Sequence, residues 1–311
     1  MQMQQLAYFV AVAEARHFTR AAARMGVAQP SLSQQVRALE RDVGAALVQR
    51  TRGDITLTDA GEALLPIARR ILADAETARR EILEVAELGR GRVRLGATPS
   101  LCTGLLPAIL AAFRADHPGV ELIIHESGSR DLQQELVQGA LDLALVIDAR
   151  LGDDERLHIL PLITEDLVVI SPLGLAGPVQ GDRISIRELE GQPMVMFRAG
   201  YDLRETVVAA CRDAGFEPTF AIEGGEMDAV LEFVRAGIGA AVVPSTVVHE
   251  RFRVTPFAAP GFARTVLLAR RSDLEPPRAA RALTSHMLDF LSRSAKAGTL
   301  PSGTRLPADS L

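Results

Sequence analysis

At 311 residues the chain is long for one hydrophobic core, so two domains, or three, are expected. Its 48% hydrophobic and 23% charged residues describe an ordinary globular protein, and no run approaches the ~20 apolar residues of a membrane span. The net charge of -5 does not by itself suggest nucleic acid, but it is unevenly spread: residues 1–60 carry seven Arg against five acidic residues, and residues 91–311 carry 22 basic against 28 acidic ones.

The opening segment, MQMQQLAYFV, lacks the basic stretch and apolar core of a secretion signal, which predicts a cytoplasmic protein with no membrane partner. Leu6, Phe9, Val10 and Ala13 share one helical face. A second helix is expected from Thr19, a favourable N-cap residue, through AAARM to a break at Gly26. A third, SLSQQVRALERDV, has Leu32, Val36, Leu39 and Val43 on one stripe. LVQRTRGDITLT then centres an Arg-Gly-Asp turn between two short strands, the outline of a wing. From Thr58 the pattern is helical for about thirty residues, longer than most globular helices. Leu64, Ala68, Ile71, Ala75, Ala78, Ile82 and Val85 follow a 4-3-4-3 spacing, a heptad seam that predicts dimerisation through this helix. Packing of the same stripe on its own domain is the alternative. GRGR (89–92) reads as a flexible break.

Beyond it, strand-like and helix-like segments alternate, from RVRLGA and LLPAILAAFRADHP to TVLLAR and a final helix over 278–293. Such alternation implies α/β sheets with mostly parallel strands. The expected organisation is a first domain over 1–58, a linker helix over 59–89 and a second domain over 90–294. The last divides into lobe I (about 91–163 and 265–294) and lobe II (about 164–264), and the tail 295–311 is expected to be disordered.

The most specific feature is FTRAAARMGVAQPSLSQQVRALE (18–40). Two crossing helices need small residues at the crossing, a turn residue and an apolar lock. Ala22 and Ala23, then Gly26, then Val27, Leu32 and Val36 fill those roles, and Pro30 suits a first helical turn. The exposed face of the third helix is expected to present Gln29, Ser31, Ser33, Gln34 and Arg37 to bases and phosphates, with Thr19 and Pro30 beside them. Arg50 and Arg52 on the wing suit phosphate or minor-groove contact, a solvated turn being the alternative.

These segments resemble the LysR-type transcriptional regulators, as do ACRDAGFEP (210–218) and VRAGIGAAVVP (234–244). The likeness covers roughly residues 3–293, with Val48 standing where the family usually has Phe. It implies an α/β protein with an N-terminal winged helix-turn-helix, a dimerising linker helix and a two-lobed effector domain shaped like a type 2 periplasmic binding protein. It also implies homodimers assembling to homotetramers on paired half-sites. The partners expected are operator DNA, a small-molecule effector and RNA polymerase, with no cofactor.

The effector is expected between the lobes, at the carboxyl ends of strands. Thr98 and Ser100 begin a helix after the first sensor strand, where they are either ligand contacts or plain caps. Ser127 and Gly128, Arg198 and Arg204, and Val243 and Pro244 are the further candidates. The two Arg could hold a small carboxylate, although a surface salt bridge is equally expected of Arg204. FRAGYDLR followed by ACRDAGFEP is most similar to the family branch of glutamate-synthase activators. Cys211 reads as a buried structural thiol and Cys102 falls in the other lobe, so no redox pair is expected. No phosphate loop, metal-spaced cluster or nucleophile elbow marks an enzyme. A solute-binding protein would lack the helix-turn-helix, and a molybdate-type regulator would carry β-barrels rather than this alternating body.

Overall fold

The computed structural model describes residues 1–51, 54–86, 91–147, 154–173, 182–248 and 251–307, with the side chains of 50, 51, 54 and 83–86 left aside. The chain divides into two compact units, Met1–Leu88 with Gln134–Leu141, and Gly89–Gln133 with Asp142–Leu311. No helix among the described residues is long and apolar enough to cross a membrane.

The first unit opens with α1 (Met3–Ala15), α2 (Phe18–Arg24) and α3 (Gln29–Val43). The second helix starts two residues earlier than a cap at Thr19 implies. Its cap is His17, whose Nδ1 accepts the Thr19 N–H at 3.1 Å. Ala21 and Ala22 are the buried residues at the crossing, while Ala23 is exposed. Gly26 takes φ +66° at the turn, a conformation that a Cβ would strain. Leu32 and Val36 close the core against Tyr8, Ala11 and Val12. The wing follows as β1 (Val48–Thr51) and β2 (Asp54–Leu57), an antiparallel pair. Glu40 ties it to α3 by accepting the N–H groups of Leu47 (2.9 Å) and Val48 (3.3 Å).

The long helix α4 (Asp59–Ala86) has Thr58 before it, whose Oγ1 accepts the Gly61 N–H at 3.1 Å. Its heptad stripe is divided. Ala68 has no exposed surface, and it packs with Leu64 and Ile71 against Leu6, Phe9, Leu39 and Leu47 of the same unit. Ala68 is therefore covered by the chain's own head, while Leu64 and Ile71 keep part of their surface exposed. A 4-3 spacing marks one buried face without saying what buries it. Ala75 is half-buried, Ala78 is exposed and Ile82 is 70% exposed; the side chain of Val85 lies outside the described residues.

The second unit begins with β3 (Gly91–Ala97), α5 (Pro99–Thr103), α6 (Leu106–Asp116), β4 (Val120–Glu126), α7 (Ser129–Val137) and β5 (Leu143–Val146). Then come β6 (Leu157–Pro172), β7 (Met194–Met196), α8 (Asp202–Asp213), β8 (Phe220–Glu223), α9 (Met227–Arg235) and β9 (Ala241–Pro244). The chain closes with β10 (Phe252–Pro256), β11 (Ala263–Arg271), α10 (Arg278–Ala297) and β12 (Thr304–Arg305). Among the described strands, β3 pairs parallel with β4 and β5, and β7 with β8; β6, β9, β10 and β11 pair antiparallel. The parallel expectation failed because the connection between β6 and β11 is not a helical crossover but most of a second lobe.

Two hydrophobic cores define the lobes. One gathers Val93, Leu95, Ile109, Phe113, Leu268, Leu283 and Met287, the other Val169, Val195, Phe197, Val207, Val230 and Val242. Strand β6 belongs to both. Its first part pairs with β11, and its last part pairs with β9 and β10. Strand β6, with β11 beside its first part, therefore joins the two lobes and is termed the hinge.

The tail is ordered through residue 307, contrary to the sequence-based expectation. Helix α10 extends to Ala297, Leu300 and Leu306 pack on the lobe I core, and Thr304 pairs with Glu165 of β6. Gly303 makes this passage possible. It sits at φ +75°, and a Cβ there would come within 2.6 Å of Ser245 Oγ.

Candidate functional site

Helix α3 presents Pro30, Ser31, Gln34 and Arg37 to solvent, with Gln29 half-buried at its start. Thr19 at the start of α2 is also exposed. Ser33 does not join this face: it is 7% exposed, on the core side beside Leu32. The expectation for Ser33 is corrected because the head closes over a wider arc of α3 than its apolar stripe alone indicates. Arg50 stands on β1, where only the backbone is described, and Arg52 lies outside the described residues.

In the second unit, α5 begins as β3 ends, which places Thr98 and Ser100 at the strand end where the effector cleft is expected; they are 2% and 0% exposed. Thr98 occupies the cap position but its side chain makes no cap bond, and its Oγ1 is buried without a partner. Ser100 is engaged from a distance in sequence: its Oγ accepts Arg264 Nη2 at 2.8 Å. Arg264 in turn donates from Nε to Glu165 at 2.8 Å. These two residues face each other across the hinge strands, Arg264 on β11 opposite Glu165 on β6, and their side chains are 5% and 1% exposed. Thr246, just after β9, donates to the other Glu165 oxygen. Arg264 Nη1 is buried and unpartnered, as is the hydroxyl of Tyr201, whose ring stacks on Phe197 at 4.4 Å. Burial pushes the Tyr201 phenol well above its usual pKa, so it stays protonated beside Arg264 and Ser100.

The other candidates are placed differently. Ser127 donates to Asp131 at 3.2 Å. Gly128 approaches the backbone of Gly200, and the following residue, Ser129, gives its N–H to Asp202 of the other lobe at 3.0 Å. Arg198 is 46% exposed and donates to Glu226 at 2.6 Å. Arg204 donates to the Phe197 carbonyl at 2.8 Å and pairs with Glu223 at 3.2 Å. The ion pair expected as the alternative for Arg204 is thus present, and Arg198 has one as well. Val243 and Pro244 are buried in β9, paired with Val168 and Leu167. Their part is to carry the chain to Thr246.

Arg264, Glu165, Tyr201 and Thr246 are the cleft residues that sequence reasoning missed. Tyr201 and Thr246 each stand next to a stretch it did single out, FRAGYDLR and Val243-Pro244. Nothing local marks Arg264 or Glu165 beyond a charge inside an apolar strand, a pattern that warrants a partner when the strand is buried.

Burial and the Glu126 carboxylate push the Cys102 thiol up to about 12, and burial raises Cys211 to about 11. Neither holds the thiolate that makes a cysteine reactive at neutral pH.

Comparison with known proteins agrees with this architecture. Residues 3–62 match the bacterial regulatory helix-turn-helix protein, lysR family, and residues 86–292 match the LysR substrate binding domain. Among curated proteins, the HTH-type transcriptional regulator YnfL of Escherichia coli is 33% identical over 94% of this chain and 99% of its own. A probable hydrogen peroxide-inducible genes activator of Streptomyces viridosporus is 33% identical over 87% and 88%. The transcriptional dual regulator GltC of Bacillus subtilis is 29% identical over 94% and 98%. Among solved structures, a full-length OxyR variant of Pseudomonas aeruginosa aligns with a TM-score of 0.71 at 27% identity, covering 93% of this chain and 98% of that one. CbnR, a LysR family transcriptional regulator, aligns at 0.69 and 25% identity, covering 95% and 99%. A winged helix-turn-helix, a long helix and a two-lobed second unit, matched along nearly the whole chain, establish that this protein belongs to the LysR family of transcriptional regulators.

Proposed function

We propose that the chain binds operator DNA through the exposed face of α3 and that a small organic acid, held between the lobes, modulates that binding. The observation that carries the effector reading is the set of buried, unpartnered polar atoms at the cleft: Thr98 Oγ1, the Tyr201 hydroxyl and Arg264 Nη1. Buried polar groups are rarely left unsatisfied. Two hydroxyls and a guanidinium edge are donors matched to a carboxylate, and Glu165 already balances the charge of Arg264 when the cleft is empty. A full-length CbnR complexed with its target DNA, similar at a TM-score of 0.67, supports the DNA reading. We assign DNA binding to residues 1–58, the linker to 59–89 and regulation to 90–294. Pairing of two chains would use the exposed apolar residues of α4, Ile67 and Ile82, rather than its buried Ala68.

The cleft reading is tested by Thr98→Val in a thermal-shift screen of small organic acids. An acid that raises the melting temperature of the unaltered protein should bind the variant with roughly 1.5–3 kcal/mol less free energy, the worth of a hydrogen bond to a charged group. The unliganded variant should melt no lower, because Oγ1 has no partner to lose. An acid that stabilises both proteins equally would place the effector elsewhere.

For the DNA face, Arg37→Ala should weaken operator binding by about 1–3 kcal/mol in gel-shift titrations at fixed salt. Ser33→Ala should leave base preference intact, since this side chain faces the core. Wild-type affinity in the Arg37 variant would remove α3 from the interface.

A further inference from the structure

Along the hinge strand β6, successive side chains turn to opposite faces. Glu165 turns to the cleft, towards Ser100 and Thr246, and Asp166 therefore turns away from it. On that far side lies a cavity of about 940 Å³, which Asp166 lines. Its walls include Phe252, Val254, Phe257 and Phe262, with Phe257 and Phe262 in edge-to-face contact at 5.4 Å. The volume is at the upper end of small-molecule sites, roughly 300–1,000 Å³.

Charge in this cavity is unbalanced. Arg305 pairs with Asp166 at 2.6 Å. Arg183 spends one N–H on the Phe257 carbonyl at 3.1 Å and makes no ion pair among the described residues. Among the described lining residues two guanidiniums thus face one carboxylate on a mainly aromatic and aliphatic wall, and the Ser245 hydroxyl, also in the lining, is buried without a partner.

We propose that this cavity is a second small-molecule site, separate from the cleft, for an organic anion with an apolar body, such as an aromatic monocarboxylate. Its walls come from the hinge (Asp166–Val168), from lobe II and from the ordered tail (Ser302–Arg305). An occupant would bridge the tail to the hinge and so bias the movement of one lobe against the other. The inference does not depend on what occupies the cleft.

The chain has no tryptophan, so Val254→Trp, at a position 44% exposed on the cavity wall, installs a single reporter in the full-length protein. The probe is 4-nitrobenzoate, an aromatic acid that quenches indole on contact, with uncharged 4-nitrobenzamide as control. Saturable quenching by the acid is expected, with the amide much weaker. Adding Arg183→Gln and Arg305→Gln should weaken acid binding about tenfold or more, as expected for lost hydrogen bonds to a charged group. If losing the Asp166 pair loosens the tail, seen as a lowered melting temperature, Arg183→Gln alone carries the test. Quenching that rises linearly without saturation, or that ignores both Arg substitutions, overturns the proposal. So does a shift of the curve by Thr98→Val, because the probe would then be reading the cleft.

Discussion

Glu165→Ala should destabilise the regulatory unit by about 3–5 kcal/mol, the usual cost of stripping one partner from a buried ion pair. The guanidinium of Arg264, 5% exposed, would keep Ser100 as its remaining partner and be left with an uncompensated charge between two lobes. Thr246 would lose its acceptor at the same moment. The pair sits on the strands that join the lobes, so the loss falls where both cores depend on it. Urea unfolding followed by far-UV circular dichroism measures the change, and the double variant Glu165→Met with Arg264→Met should recover most of it, because apolar replacements of both partners leave no charge stranded. A single variant as stable as the unaltered protein would mean that water reaches the pair and screens it.

Phe9→Ala should cost the head about 3–5 kcal/mol, from lost transfer energy and the cavity left behind. Phe9 is fully buried among Leu6, Leu39, Leu47 and Ala68, where α1, α3, the approach to the wing and α4 converge. A domain this small has little stability to spare. Operator binding in gel shifts should therefore be lost at a temperature where the unaltered protein still binds, while Arg37→Ala weakens binding without lowering the melting temperature. Retention of both melting and binding in the Phe9 variant would show that the head is not organised around this residue.

The head was legible in the sequence because its determinants are local. Gly26 at the turn, Pro30 in the first turn of α3 and the Leu32–Val36–Leu39 stripe act within a few residues of one another, and short-range backbone preference decides them. Local pattern was weaker where burial had to be assigned to a partner. The stripe of α4 reads the same whether a second helix or the chain's own α1 covers it, and only the folded head shows Ala68 closed off while Ile82 stays open. Ser33 was misassigned for the same reason, since a polar residue beside the stripe is buried or exposed according to what packs over it.

The sequence by itself determined the class of the protein, the winged head, the long helix and the position of Thr98 and Ser100 at a strand end. Only tertiary structure chose the partner of Ser100. The Arg residues singled out from sequence, Arg198 and Arg204, are held by Glu226 and Glu223, while the one that reaches Ser100 is 164 residues away. It also decided where the tail lies, because Leu300 and Leu306 find a core and β12 adds to the edge of β6 opposite β11. A cross-strand pair such as Arg264 opposite Glu165 exists only once two distant strands are in register, and register is a property of the assembled sheet, to which every other strand and both cores contribute.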